Sequence, residues 1–166
     1  EYGLKTEEDN AVTLLRNNIE LVKNSLTSDL LNESEKNALS TQLNRLLYLS
    51  RSYVYGLLNS SRFTEAVTAI HALLKDIESI RDNNIYIYYA YLAWSQRMLG
   101  KHDIAFDYIK KAKELCPTED KATLRDITID ELYLLEKLSL NEALSLAKKL
   151  KNENKANSDL YIISDI

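Results

Sequence analysis

The residues best suited to acid–base, nucleophilic or metal chemistry are few in this chain: His71, His102 and Cys116, with carboxylate pairs such as Glu7–Glu8 and Glu119–Asp120. A zinc protease would place two histidines one helical turn apart with a glutamate between them. Here the histidines stand in separate segments, with no cysteine cluster nearby. Gly3, Gly56 and Gly100 are the only glycines, so no glycine-rich phosphate loop can form, and no nucleophile elbow is present. The carboxylate pairs fall at expected helix starts, where negative charge complements the helix dipole. His71 and His102 are assigned surface or packing roles. Neither a catalytic set nor a bound metal or other cofactor is expected, and the chain is read as a non-enzyme.

Composition narrows the choice further. The 166 residues are 45% hydrophobic and 28% charged, enough for one folded domain with a sizeable core. With 21 Lys and Arg against 25 Asp and Glu, the net charge is -4, which offers no basic face for nucleic acid. One proline and three glycines leave too few turns for a β-rich fold, whereas Leu, Ala, Lys and Glu favour helix. A lone cysteine closes no disulfide within the chain. No run of about 18 apolar residues exists to span a bilayer, so no direct membrane insertion is expected. The first residue is Glu1, which suggests a removed leader or a piece of a longer protein.

Periodicity supplies the elements. Val12, Leu15, Ile19, Val22 and Leu26 recur at steps of three and four, predicting a helix from Glu7, after a Thr6–Asp9 capping box, to Leu26. Asn32 with Glu35 offers a second capping box, before a helix reaching Asn59. Gly56 lies inside it, at a place where another backbone is expected to pass close. Between Ile85 and Pro117, two amphipathic helices hinge at Gly100. The first carries Tyr89, Leu92, Ala93 and Gln96, the second Ala105, Ile109 and Ala112. Ala66, Ala105 and Ala143 stand as equivalent small residues, preceded by a bulky Phe63 or Leu140 in the outer two, at a period of about 39 residues against roughly 34 for the common tetratricopeptide repeat. The stretch after Leu150, KNENKANSD, is expected to be a polar connection.

On Tyr89, Leu92, Ala93, Gly100, Ala105, Ile109, Ala112 and Pro117, the chain resembles the tetratricopeptide (TPR) family in a long-repeat form. Tyr89 stands for the family's tryptophan, Ala93 for its glycine and Gln96 for its second aromatic. HEAT-type repeats, with periods of about 40 to 47 residues, are the competitor, but they need neither the Gly100 hinge nor the ladder of small residues. The resemblance implies an all-α fold, a right-handed α-solenoid of seven or eight antiparallel helices. Residues 1–44 would cap repeats at 45–80, 84–117 and 120–151, with 154–166 beginning a further one. The core is expected to hold Leu46, Val54, Leu57, Ala66, Ile70, Leu92, Ala93, Ala105, Ile109, Ala112, Leu134 and Ala143.

The family's groove-facing places, carried onto this sequence, select Tyr48, Arg51, Tyr55, Ile87, Trp94, Arg97, Arg125, Leu132 and Leu135. Aromatic and arginine side chains dominate binding hot spots. The implied function is therefore a protein- or peptide-binding module, with Trp94 as the apolar anchor and Arg51, Arg97 and Arg125 meeting an acidic segment. The family's carboxylate clamp is disfavoured, because Tyr55 and Tyr91 stand where asparagines are required. The array resembles the sensing or scaffolding part of larger bacterial regulators, in cytoplasm or periplasm. The alternative is a small-ligand sensor domain of a membrane-anchored signalling protein. The apolar residues Leu160, Tyr161, Ile163 and Ile166 suggest self-association through the C-terminal end.

Overall fold

The computed structural model describes residues 2–80 and 82–156. They form seven helices and no strand: α1 (Tyr2–Leu26), α2 (Glu33–Asn59), α3 (Phe63–Ile80), α4 (Ile85–Met98), α5 (His102–Leu115), α6 (Lys121–Leu138) and α7 (Leu140–Ala156). The chain is all-α. Helix α1 reaches back to Tyr2, so Thr6 and Asp9 lie within it rather than at its start. Helix α7 continues through residues 151–156, where a polar connection was expected. The tail from Leu160 to Ile166, and the self-association read from it, lie outside the described residues.

Each helix packs against the next, and beyond nearest neighbours α1 touches α3, α2 touches α4 and α4 touches α6. Helix α4 is thus the hub, in contact with α2, α3, α5 and α6, and its sequence suits the position. Tyr86, Tyr88, Tyr89, Leu92 and Ala93 are all buried along it. Each tyrosine hydroxyl buried there needs a partner, because an unpaired one costs about 1–3 kcal/mol. Tyr86 donates to Asp120 at 2.7 Å, Tyr89 to Glu78 at 2.6 Å, and Tyr88 bonds Ser50 and the Leu47 carbonyl. Three tyrosines thereby tie α4 to three different parts of the chain.

Two of the helix–helix turns are built alike. At the end of α4, Gly100 has φ +75. The Lys101 N–H donates to the Gln96 carbonyl at 2.9 Å and the Gly100 N–H to the Arg97 carbonyl at 3.0 Å. At the end of α2, Ser61 has φ 58, and Arg62 and Ser61 donate to Leu57 and Leu58, both at 2.9 Å. Both are the left-handed helix stop in which the next two N–H groups satisfy carbonyls of the last turn. Serine tolerates the left-handed region poorly, which hides this turn from the sequence. The anchor alanines then close the first turn of each following helix, Ala66 onto Arg62, Ala105 onto Lys101 and Ala143 onto Ser139, at 2.9–3.0 Å.

Of the expected core, every residue is buried except Leu46, which is only partly covered. The Asn32–Glu35 capping box forms in both directions. The expectation for Gly56 is corrected: a β-carbon there would meet nothing within 4 Å, and the position is exposed. No neighbouring backbone requires the glycine, so it costs helix propensity without a packing return. Gly56→Ala is expected to stabilise the protein by about 1 kcal/mol, read as a raised denaturation midpoint; a lowered midpoint would show that some contact needs the bare backbone.

Candidate functional site

A cleft of about 510 Å³ opens across α2, α4 and α6. Tyr55 comes from α2; Ile87, Ala90, Tyr91, Trp94 and Arg97 from α4; Thr123, Asp126, Ile127 and Asp130 from α6. The α4 residues recur at steps of three and four, so a single helical stripe faces the cleft while the opposite stripe, with Tyr89, Leu92 and Gln96, is buried. Residues on α6 follow the same spacing. The cleft therefore exists because alternate helices are brought side by side, each offering one face.

Aromatic rings form one wall. The Tyr55 centroid lies 6.0 Å from that of Tyr91, with planes tilted by 32°, and 6.5 Å from that of Trp94, tilted by 59°. These separations are those of favourable aromatic pairs. Burial raises the Tyr91 phenol above its ordinary pKa, with the neighbouring Tyr55 adding to the effect, so the Tyr91 hydroxyl stays uncharged at neutral pH. On the other side, Arg97 Nη2 lies 3.3 Å from Asp130 Oδ1, and its guanidinium sits 6.0 Å from the Tyr133 ring centroid. Arg97 Nε is buried and has no hydrogen-bond partner. Burial also holds the Asp130 carboxyl above the usual carboxylate range, opposed by Arg97 and reinforced by Asp126.

Four residues selected from the sequence line the cleft: Tyr55, Ile87, Trp94 and Arg97. The others do not. Tyr48 is 64% exposed on α2; Leu132 is partly buried outside the lining, and Leu135 belongs to the core. Arg125 is exposed and faces its neighbour Asp126 at 3.4 Å. Arg51 is turned into an ion pair with Asp82 at 2.9 Å, the two side chains only 16% and 7% exposed. Of the three arginines expected to meet an acidic partner only Arg97 lines the cleft, and each of the three guanidinium groups stands beside an aspartate. Tyr91, Asp126, Ile127 and Asp130 were missed as site residues. A signal for them existed: Tyr91 lies three residues before Trp94 on the same stripe of α4, and Asp126, Ile127 and Asp130 lie on a stripe of α6 that begins one residue beyond Arg125.

Among the described residues no group of three His, Cys, Asp or Glu side chains is placed to hold a metal ion, and no helix is long and apolar enough to cross a membrane. Cys116 is buried, and burial raises its thiol pKa, which removes the thiolate character that reactive cysteines need. Compared with known proteins, the chain matches no family model, no curated protein and no solved structure.

Proposed function

We propose that this chain is a non-enzymatic binding module, a right-handed TPR-like array whose α2, α4 and α6 form the inner surface and dock a protein or peptide segment. The observation that carries this reading is a cleft lined from all three of those helices, with Trp94 and two tyrosines as its apolar wall. A surface spread over alternate helices suits an extended segment, which can cross several helices and place successive side chains in one groove. The like-built turns at Ser61 and Gly100 and the matching alanines support the repeat reading. Such a module would serve as the sensing or scaffolding part of a larger regulatory or signalling protein. A small-ligand sensor is the second reading, favoured by the cleft's volume, which lies within the roughly 300–1,000 Å³ of small-molecule sites.

Peptides selected by display against the 166-residue chain are expected to lose well over tenfold in affinity on Trp94→Ala, since truncating a hot-spot aromatic costs upwards of about 2 kcal/mol, while the helical circular dichroism is kept. Tyr91→Ala, which removes a second ring from the same wall, is expected to weaken them too. If selected peptides ignored both substitutions but failed on Lys110→Glu, on the α5 face away from the cleft, the cleft would not be the docking surface. A thermal-shift screen separates the second reading: a small molecule that raises the melting temperature of the parent and not of Trp94→Ala, with no peptide selected, would favour the sensor.

A further inference from the structure

We propose that the group recognised in this cleft is cationic: the docking segment presents a lysine or arginine side chain to the Tyr55, Tyr91 and Trp94 wall, with Asp126 as its counter-charge. This rests on the docking reading above and names the chemistry of the ligand for the same site. Charge decides the sign. The lining carries two carboxylates, Asp126 and Asp130, against one guanidinium, Arg97, and that guanidinium is already beside Asp130. An acidic ligand would have to displace Asp130 and still meet Asp126. A cation meets no uncompensated positive group.

The remaining contact of Asp126 is weak competition. Arg125 approaches it only at 3.4 Å, with side chains 49% and 68% exposed, and exposed pairs of this kind contribute little. The aromatic wall favours the same sign of charge. Ring faces carry the negative end of the quadrupole and attract ammonium and guanidinium groups within about 6 Å of the centroid. Because the Tyr55 ring is tilted against both Tyr91 and Trp94 rather than stacked flat on either, the rings make an angled wall. An aliphatic stem can lie along such a wall while its charged head reaches a carboxylate.

The test uses the full chain and three probes, acetylated and amidated pentapeptides of sequence Ala-Leu-X-Leu-Ala in which X is lysine, glutamine or glutamate. Trp94 is the only tryptophan of the chain, so its emission reports occupancy of the cleft directly. The lysine probe is expected to give a saturable change and to bind about tenfold more tightly than the glutamate probe at low salt, with the gap closing as salt screens the charges. Asp126→Asn should weaken the lysine probe about fivefold, and Arg125→Ala should tighten it, because it frees Asp126. Tighter binding of the glutamate probe would overturn the charge assignment and leave the docking reading standing. A lysine probe indifferent to Asp126→Asn would overturn the assignment of the counter-charge. If none of the three moved Trp94 emission at millimolar concentration, both the inference and the docking reading would fall.

Discussion

Ala105→Glu is expected to cost several kcal/mol, enough to remove the cooperative melting transition of a domain whose total stability is typically about 5–15 kcal/mol. Ala105 is fully buried in the first turn of α5, and α5 makes with α4 the most extensive pairing among the described helices. Its N–H closes the turn onto the Lys101 carbonyl at 3.0 Å, which fixes where its β-carbon points. A glutamate there must either bring an unpaired carboxylate into the helix interface or push the helices apart, and both are costly. Two substitutions separate charge from size. Ala105→Leu adds volume without charge and is expected to lose about 1–3 kcal/mol. Ala122→Glu introduces the same carboxylate on an exposed face of α6 and should change stability by less than about 0.5 kcal/mol. The effect also reaches function, since α4 supplies half of the cleft lining and owes the position of that face to its packing on α5. An unchanged melting curve for Ala105→Glu would refute the placement.

The helices were legible because their signals are local. The Asn32–Glu35 box, the alanine ladder and the Gly100 turn each depend on residues within one or two helical turns, and each forms as the spacing requires. The cleft was legible by halves. A helix period places Trp94, Arg97 and Ile87 on one face whatever lies opposite, but the sequence of α4 does not contain the residues that α6 will bring to it. Arg97 could be placed; Asp130, two helices further along the chain, could not be recognised as its partner. Arg51 lies outside the cleft lining for the same reason in sharper form. Its register on α2 is that of a groove residue, yet a long flexible side chain follows the nearest carboxylate rather than its α-carbon. Asp82, in the turn before α4, captures it. Ser61 shows the converse case, in which a left-handed turn forms without the glycine that would announce it.

Arg51→Met is expected to destabilise the protein by about 3–5 kcal/mol, the usual cost of leaving one member of a buried ion pair alone. The pair joins distant parts of the chain: Arg51 belongs to α2, while Asp82 sits between α3 and α4. The Asp82 carboxylate accepts the Arg51 bond at 2.9 Å through Oδ2 and the Asn84 N–H at 3.1 Å through Oδ1. Asp82 also offers its backbone carbonyl to the Ile85 N–H at 3.1 Å, so the same residue sets the start of α4 and thereby the face that α4 turns to the cleft. Without Arg51, a carboxylate 7% exposed keeps only the backbone and side-chain N–H groups of Asn84 and loses the guanidinium that balances its charge. Asp82→Asn removes the charge and keeps an acceptor for Asn84, so it should cost less than Arg51→Met, and the double variant should cost less than the sum. A double-mutant cycle is expected to give a coupling of about 2 kcal/mol, within the range for residues in direct contact. Arg125→Ala, by contrast, breaks only an exposed pair and should leave the midpoint within about 0.5 kcal/mol of the parent. The two arginines were equivalent as candidate ligand contacts, and denaturant melts of these variants distinguish a strut from a surface charge without any ligand in hand. A midpoint unmoved by Arg51→Met would free that guanidinium for the groove and restore a positive charge beside Tyr91, against the cationic partner.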